Sequence, residues 1–458
     1  MKLWINVTTT YFWQGPAVGI IRTEMEIVKR IILSNRYDFG LVIFKDDQFR
    51  QVEISEYLSR INISKTKKTS TLQENTNKNS YEIFPLISSK ESVKYIAHGT
   101  YCLMPSYFRP LFGKILKKIK KPCVKFIDYL NQKRMRNNFN HETVNKTIDD
   151  GYYFFNEGDI FFSIGLDWEQ FLYSHFYDLK KKYKMKLITC CYDLIPVIYP
   201  QYCLGRLSGL MQSYFLELAD ASECILCISK CSQRDLLNRL DLMGGNIPRT
   251  EVFRLGCDIK DDIKETAKNS LGLIAEDFIL FVSTIERRKN HEVLYKAYHK
   301  ILFNNPGAKL PKLVFVGMQG WGVSDLLSDI SFDPATKDHI IIAGRVDDEY
   351  LNWLYKNCKF VCFPSYYEGW GLSVGEALNY GKVVLASDSG AIPEIAGDLV
   401  EYADPMNPNE WAEKIMELCS DVNILKEKEE RIKKEYKHDT WDQSANTVCD
   451  VIDSVIKK

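Results

Sequence analysis

Phe363–Ala377, FPSYYEGWGLSVGEA, is the stretch around which the rest of this chain is organised. The run that leads into it, KFVCF, is continuously apolar and has the length of a strand buried on both faces of a parallel sheet. It breaks at Pro364, and a loop spaced by Gly369 and Gly371 follows. A helix is predicted to start near Leu372 and run through SVGEALNY, with Gly381 as its C-terminal stop. Strand, glycine loop and helix N-terminus together form an anion cradle. Free backbone N–H groups point out of such a loop, and the helix dipole adds roughly half a positive charge. Glu368 lies in the loop and Glu376 eight positions on, in the helix. A carboxylate on each side of the cradle suits a ligand with two phosphates between two hydroxylated rings. The plainer alternative is a loop with one solvated and one capping glutamate.

Composition sets the frame. A chain of 458 residues with 45% hydrophobic and 26% charged residues is an ordinary globular chain. That length fits two domains of about 200 residues or three smaller ones. Sixty basic and sixty acidic residues cancel, so global charge gives no argument for nucleic acid, and any basic surface is local. The thirteen cysteines sit in apolar segments such as ITCCYDL. Cys224 and Cys227 form a C-x-x-C in a predicted strand without a second pair, which reads as buried free thiols rather than zinc or redox chemistry. The opening MKLWINVTTTYFW lacks the apolar core and cleavage site of a signal peptide, and no run reaches the ~18 apolar residues of a membrane span. The expected location is cytoplasmic.

Along the chain, LWINVT and DFGLVIF read as strands, with Gly15 and Gly19 in the loop before an amphipathic helix. Residues 64–80 are polar and aperiodic, a loop or insertion. His98 is either an acceptor contact or an ordinary structural histidine. Lys114–Arg136 carries nine Lys or Arg against one Asp, with apolar residues interleaved. It is either a solvated helical face or a surface for anionic lipid, where each basic residue adds about 1 kcal/mol. GDIFFSIGLDW and MKLITCCYDLIPVIYP are buried strands that end in polar loops. Ligands bind beyond the C-terminal ends of such strands, which places Asp167 and Asp193 well; Asp193 either meets an acceptor or caps a turn. Ser229 caps a helix after ECILCIS. From Gly256 to about Lys268 a linker is expected, and then five strand–loop–helix units predict a second parallel sheet covered on both faces.

EGWGLSVGEAL resembles the E-x7-E signature of retaining glycosyltransferases of family 4, which have the two-domain GT-B fold. Ser373 stands where the family usually has proline. PAVGIIRTE resembles the first-domain loop that faces the donor phosphates, YDLIPVIYP a segment of bacterial surface-polysaccharide transferases, and TIERRKNHE the family's basic loop. The histidine often found before Asp193 is Tyr192 here, and the arginine that many members place five residues before the lysine is Thr284.

The resemblance implies two Rossmann-like doubly wound domains facing across a cleft: 1–260 for the acceptor, 261–436 for the nucleotide sugar, and a helix within 437–458 that crosses back. It implies that Lys289 and Arg288 meet the diphosphate and that Glu368 holds the donor sugar. Glu376 takes the ribose, Gly371 and Leu372 offer backbone amides, Val346 lies near the base, and Trp370, Gly19 and Thr284 complete the donor set. Asp193, Asp167 and His98 are the acceptor candidates. The implied donor is a nucleotide-diphosphate sugar, with GDP-mannose slightly favoured over UDP- or dTDP-sugars. The implied acceptor is a glycan or polyprenyl-diphosphate-linked glycan of a surface polysaccharide such as O-antigen, capsule or lipopolysaccharide, reached at the inner face of the membrane. The resemblance also implies that the anomeric configuration is retained by same-face attack, with the leaving phosphate helping to remove the acceptor proton.

No D-x-D metal motif follows a suitable strand, and Asp347–Asp348 reads as a helix cap; neither metal nor cofactor is expected. A dinucleotide oxidoreductase would need a G-x-G-x-x-G opening a helix and an acidic residue ~20 on, which the chain does not supply. A non-catalytic membrane scaffold would be expected to lose a cradle group, yet Glu368, Glu376 and Lys289 are all present.

Overall fold

A computed structural model describes residues 1–15, 17–46, 48–66, 154–170, 173–203, 205–258 and 271–457. His98 and the basic segment 114–136 lie outside the described residues, as does most of the predicted insertion.

Two parallel sheets dominate. The first has seven strands in the order β3-β2-β1-β4-β5-β6-β7. These are β1 (Leu3–Asn6), β2 (Phe39–Lys45), β3 (Gln48–Val52), β4 (Ile160–Phe162), β5 (Lys186–Cys191), β6 (Cys224–Cys227) and β7 (Arg249–Val252). Only β3 runs antiparallel, as a hairpin with Phe44 opposite Phe49. The sequence reading missed it, because QFRQV is only five residues long, lies at a sheet edge and breaks polar–apolar alternation at Arg50–Gln51.

The second sheet has six strands in the order β10-β9-β8-β11-β12-β13. They are β8 (Phe278–Val282), β9 (Lys312–Val316), β10 (Ile340–Gly344), β11 (Phe360–Phe363), β12 (Val384–Ser387) and β13 (Glu401–Ala403). The predicted five become six because the edge strand β13 is only three residues long. The central strands β8, β11 and β12 are apolar and buried, as continuous hydrophobic runs covered on both faces must be. The cysteines of the C-x-x-C belong to separate hydrophobic cores, Cys224 in one and Cys227 in the other, on opposite faces of β6. Two thiols on opposite faces of a strand cannot ligate one ion together.

Each sheet reverses its strand order once, between β1 and β4 and between β8 and β11. Such switch points open a crevice beyond the strand ends. After β13 the chain forms helices Pro408–Ser420 and Val422–Glu435, and Trp441–Ile456 then lies against the first domain. Thr440 and Gln443 cap this last helix reciprocally. Its Asp442 takes Arg30 Nε at 2.5 Å, and Tyr37 OH donates to the Cys449 carbonyl at 3.0 Å and Asp453 Oδ1 at 2.8 Å. Among the described residues no helix is long and apolar enough to cross a membrane.

Candidate active site

At the second switch point the loops that follow β8 and β11 interlock. The first, TIERRKN, folds Arg287–Lys289 into a 3-10 turn and ends at Asn290 in the left-handed region (φ 59°). Asn290 tolerates that conformation and uses its side-chain amide to bind both neighbouring loops. Nδ2 donates to the Pro364 carbonyl at 3.0 Å and the Pro405 carbonyl at 2.8 Å. The Tyr366 amide donates to the Arg288 carbonyl at 3.0 Å. The two loops are therefore one unit, and Glu368 meets the basic residues across it. Lys289 Nζ lies 2.6 Å and Arg288 Nη1 2.9 Å from Glu368 Oε1. Arg288 is held further by the Tyr367 carbonyl at 2.9 Å and by Glu286 Oε1 at 2.8 Å.

Glu368 is 6% exposed. Burial would raise its carboxyl, but Arg288 and Lys289 outweigh burial and hold it at about 2. Burial and then Arg288 pull Lys289 below the ordinary lysine range, with Glu368 opposing them. Glu286 is lifted by burial against the pull of Arg288. The sequence reading passed over Glu286, whose only signal was its place two residues before Arg288.

The backbone of Glu368 is fixed by the loop after β12. The Ala391 amide donates to the Glu368 carbonyl at 3.0 Å. Gly390 has φ +64°, and a Cβ there would sit 2.4 Å from that carbonyl oxygen, so only glycine fits. On the other side Gly369 touches the first domain, where a Cβ would lie 2.7 Å from both the Tyr192 carbonyl and Asp193 Cβ. Asp193 thus faces the cradle. Its Oδ1 accepts from the Ile195 amide at 3.0 Å, and burial raises its carboxyl while Arg288 opposes. Asp193 thus caps a turn, as one of its two expected roles has it, and does so beside Gly369 of the second domain.

The helix Leu372–Asn379 follows Gly371 and has no side-chain cap, so no side chain takes up its first amides. Glu376 is engaged. Arg22 of the first domain donates to Oε1 at 3.0 Å and Tyr355 OH to Oε2 at 3.1 Å. Gly19 is the first residue of the helix Gly19–Ser34, also without a side-chain cap, and a Cβ there would meet open space. Thr284 is exposed on the loop after β8. Val346 is half-buried beyond β10, two strands from β8. Asp347 caps the next helix, taking the Tyr350 amide at 2.7 Å.

Trp370 is 6% exposed, as Glu368 is, and lies at the domain boundary with the Arg254 guanidinium 5.3 Å from its ring centroid. One expectation needs correction. Asp167 is 2% exposed, and its carboxylate is turned into the first domain. Ser163 Oγ donates to its Oδ1 at 2.7 Å, Asn6 Nδ2 to the same oxygen at 3.2 Å, and Tyr173 OH to Oδ2. It fills the first switch point beside Glu24, whose Oε1 takes the Thr10 amide at 2.8 Å and hydroxyl at 2.6 Å. Burial lifts Glu24 to about 8.

An interdomain seam completes the cleft, and the sequence reading did not include it. Tyr202 stacks on Tyr366 at 4.8 Å and 2°, and Tyr199 meets Tyr367 at 4.9 Å. Glu394 of the second domain takes the amides of Lys230 and Cys231 at 2.8 and 2.6 Å, at the N-terminus of the first-domain helix Lys230–Met243. A carboxylate suits that positive helix end.

Residues 263–439 match the family described as glycosyl transferases group 1. O-antigen chain mannosyltransferase B of Escherichia coli is 26% identical over 242 residues, 52% of this chain and 62% of that protein. The serotype-specific mannosyltransferase WbdA of Escherichia coli is 27% identical over 222 residues, 46% of this chain and 26% of that protein. The matches therefore span less than two thirds of either relative. The solved structure of Anabaena HepE in complex with UDP and glucose superimposes with a TM-score of 0.59 at 13% identity, over 99% of this chain and 100% of that one. On these likenesses and on its two facing α/β domains, the chain has the GT-B fold; its residues 263–439 resemble the glycosyl transferases group 1, and about half of the chain resembles O-antigen mannosyltransferases.

Proposed function

We propose that this protein is a retaining glycosyltransferase of the family 4 type. It moves a hexosyl group from a nucleotide-diphosphate sugar to a glycan or lipid-linked glycan of a surface polysaccharide, without a divalent metal. The observation that carries the reading is the meeting of Glu368 with Lys289 and Arg288 beside the uncapped Leu372 helix. Transfer builds positive charge on the sugar and negative charge on the leaving diphosphate. A buried carboxylate and two partly buried cations a few ångströms apart supply both counter-charges, and preorganised charge of this kind is worth several kcal/mol. Arg288 binds phosphate oxygens with its fork, Lys289 as a point charge. Glu368 takes the sugar hydroxyls, Glu376 those of the ribose, and Asp193 lies on the acceptor side. GDP-mannose is the favoured donor, supported by the names of the two mannosyltransferase relatives; UDP- and dTDP-sugars are the competing donors. Contact of residues 114–136 with anionic lipid belongs to the same proposal.

Transfer from GDP-mannose, UDP-sugars and dTDP-sugars, followed in EDTA for wild type and Lys289→Ala, tests it. The expected result is transfer from one donor class, with the product anomer retained by NMR. Lys289→Ala is expected to slow transfer about 10²- to 10³-fold, the usual scale for losing one preorganised charge-stabilising group. No transfer and no nucleotide binding would leave a scaffold with this fold as the better reading, and an inverted anomer would overturn the mechanism.

A further inference from the structure

The segment AVGIIR opens the helix Gly19–Ser34, and its Arg22 reaches out of the first domain into the second. Nη1 donates to Glu376 Oε1 at 3.0 Å and Nη2 to the Asp258 carbonyl at 3.4 Å. The guanidinium also lies 5.7 Å from the ring centroid of Trp441. Asp258 in turn accepts the Trp441 amide through Oδ2 at 2.9 Å. First-domain helix, linker, returning helix and donor-side helix thus converge on one arginine. Tyr355 OH supplies the matching bond on Oε2 of Glu376 at 3.1 Å.

Among the described residues each oxygen of Glu376 consequently has one protein donor, and the donors come from opposite domains. A carboxylate has about four lone-pair sites. Arg22 and Tyr355 leave room on both oxygens, an arrangement that accepts two adjacent hydroxyls of a vicinal diol. The Arg22 and Glu376 side chains are 19% and 21% exposed, buried enough to hold geometry and open enough to meet a ligand.

We propose that Arg22 is a positioning residue for the nucleoside end of the donor. From across the domain boundary it fixes the Glu376 carboxylate, so the diol site is complete only while the two domains are in contact. The inference rests on the proposed function in one respect, the assignment of Glu376 to the ribose hydroxyls. Arg22 meets no reacting atom and acts through Glu376. A planar fork is needed, because one side chain spans two acceptors; lysine covers one of them.

The test is calorimetric titration of wild type, Arg22→Ala, Arg22→Lys, Glu376→Gln and the Arg22→Ala/Glu376→Gln pair. The probes are the nucleoside diphosphate that wild type binds and its 2′-deoxy counterpart, with transfer kinetics alongside. Arg22→Ala is expected to weaken the ribonucleotide about 3- to 10-fold and to raise the donor KM equally, with kcat within about twofold. It is expected to shrink the ribose-over-deoxyribose preference to that of Glu376→Gln, and to add nothing in the Glu376→Gln background. Arg22→Lys restores part of the loss. If Arg22→Ala is unfolded by circular dichroism, Arg22→Gln, which keeps a polar side chain but is shorter and lacks the charge and the fork, carries the same comparison. A preference for ribose that survives Arg22→Ala, a loss additive with Glu376→Gln, or an effect on kcat alone overturns the inference and leaves the proposed function standing. Wild type that binds no nucleoside diphosphate overturns both.

Discussion

Glu368→Gln should tighten binding of a free nucleoside diphosphate while it slows transfer, and one cause produces both effects. Lys289 and Arg288 converge on a single oxygen of Glu368, at 2.6 and 2.9 Å. A diphosphate that enters the cradle competes with that carboxylate for the same two cations. The cations hold Glu368 at about 2 against an ordinary 4.5, despite burial, and at about 1.4 kcal/mol per unit that favours the charged pair by about 3 kcal/mol. Gln keeps the size and removes the competition. Glu286 still holds Arg288 Nη2, so part of the benefit is recovered, about 1–2 kcal/mol or 5- to 30-fold in affinity. With the sugar attached the gain disappears, because the hydroxyls lose a charged acceptor. Removing charge stabilisation at the reacting centre lowers kcat by about 10²-fold or more. Calorimetry with GDP, UDP and dTDP, paired with transfer rates, measures both halves. Weaker or unchanged binding of the free diphosphate by Glu368→Gln would refute the competition.

Glu24→Gln should remove a pH dependence of stability. The folded carboxyl is lifted by burial from 4.5 to about 8, so its contribution is fully present below pH 4.5 and is lost as pH rises through about 8. The loss is at most about 5 kcal/mol at about 1.4 kcal/mol per unit. Urea unfolding of the first domain's signal between pH 5 and 8 should therefore weaken with pH in wild type and run flatter in Glu24→Gln; parallel slopes would count against it. Gly369→Ala places a Cβ 2.7 Å from the Tyr192 carbonyl and Asp193 Cβ, which must push the domains apart. The expected outcome is a donor KM raised about tenfold and a larger radius of gyration in X-ray scattering, at an energy on the order of an overpacked contact. Unchanged values of both would show that the domain contact is slack.

Much of this architecture could be read without coordinates, and the reason is local. Apolar runs such as FILFV, KLVFV and FVCF are strands wherever they fold, because continuous burial at strand length leaves no other economical arrangement. Ser229 and Asp347 cap their helices as spacing predicts, since a cap bonds within three residues: Ser229 takes the Ser232 amide and Asp347 the Tyr350 amide. The edge strands β3 and β13 escaped because short, half-exposed strands carry little periodicity.

For the site, sequence by itself determined which groups stand in the loops after β8 and β11: Glu368, Lys289, Arg288 and the glycines around them. Only the tertiary structure decided what they touch. It turned Asp167 inward, put Trp370 under Arg254, and brought Arg22 onto Glu376 across 354 residues of chain. It also set Asp193 against Gly369, and Glu394 on the helix at Lys230. The physical reason is range. Periodicity and capping act over a few residues, whereas which of two well-placed carboxylates faces a cleft depends on how one domain packs against the other.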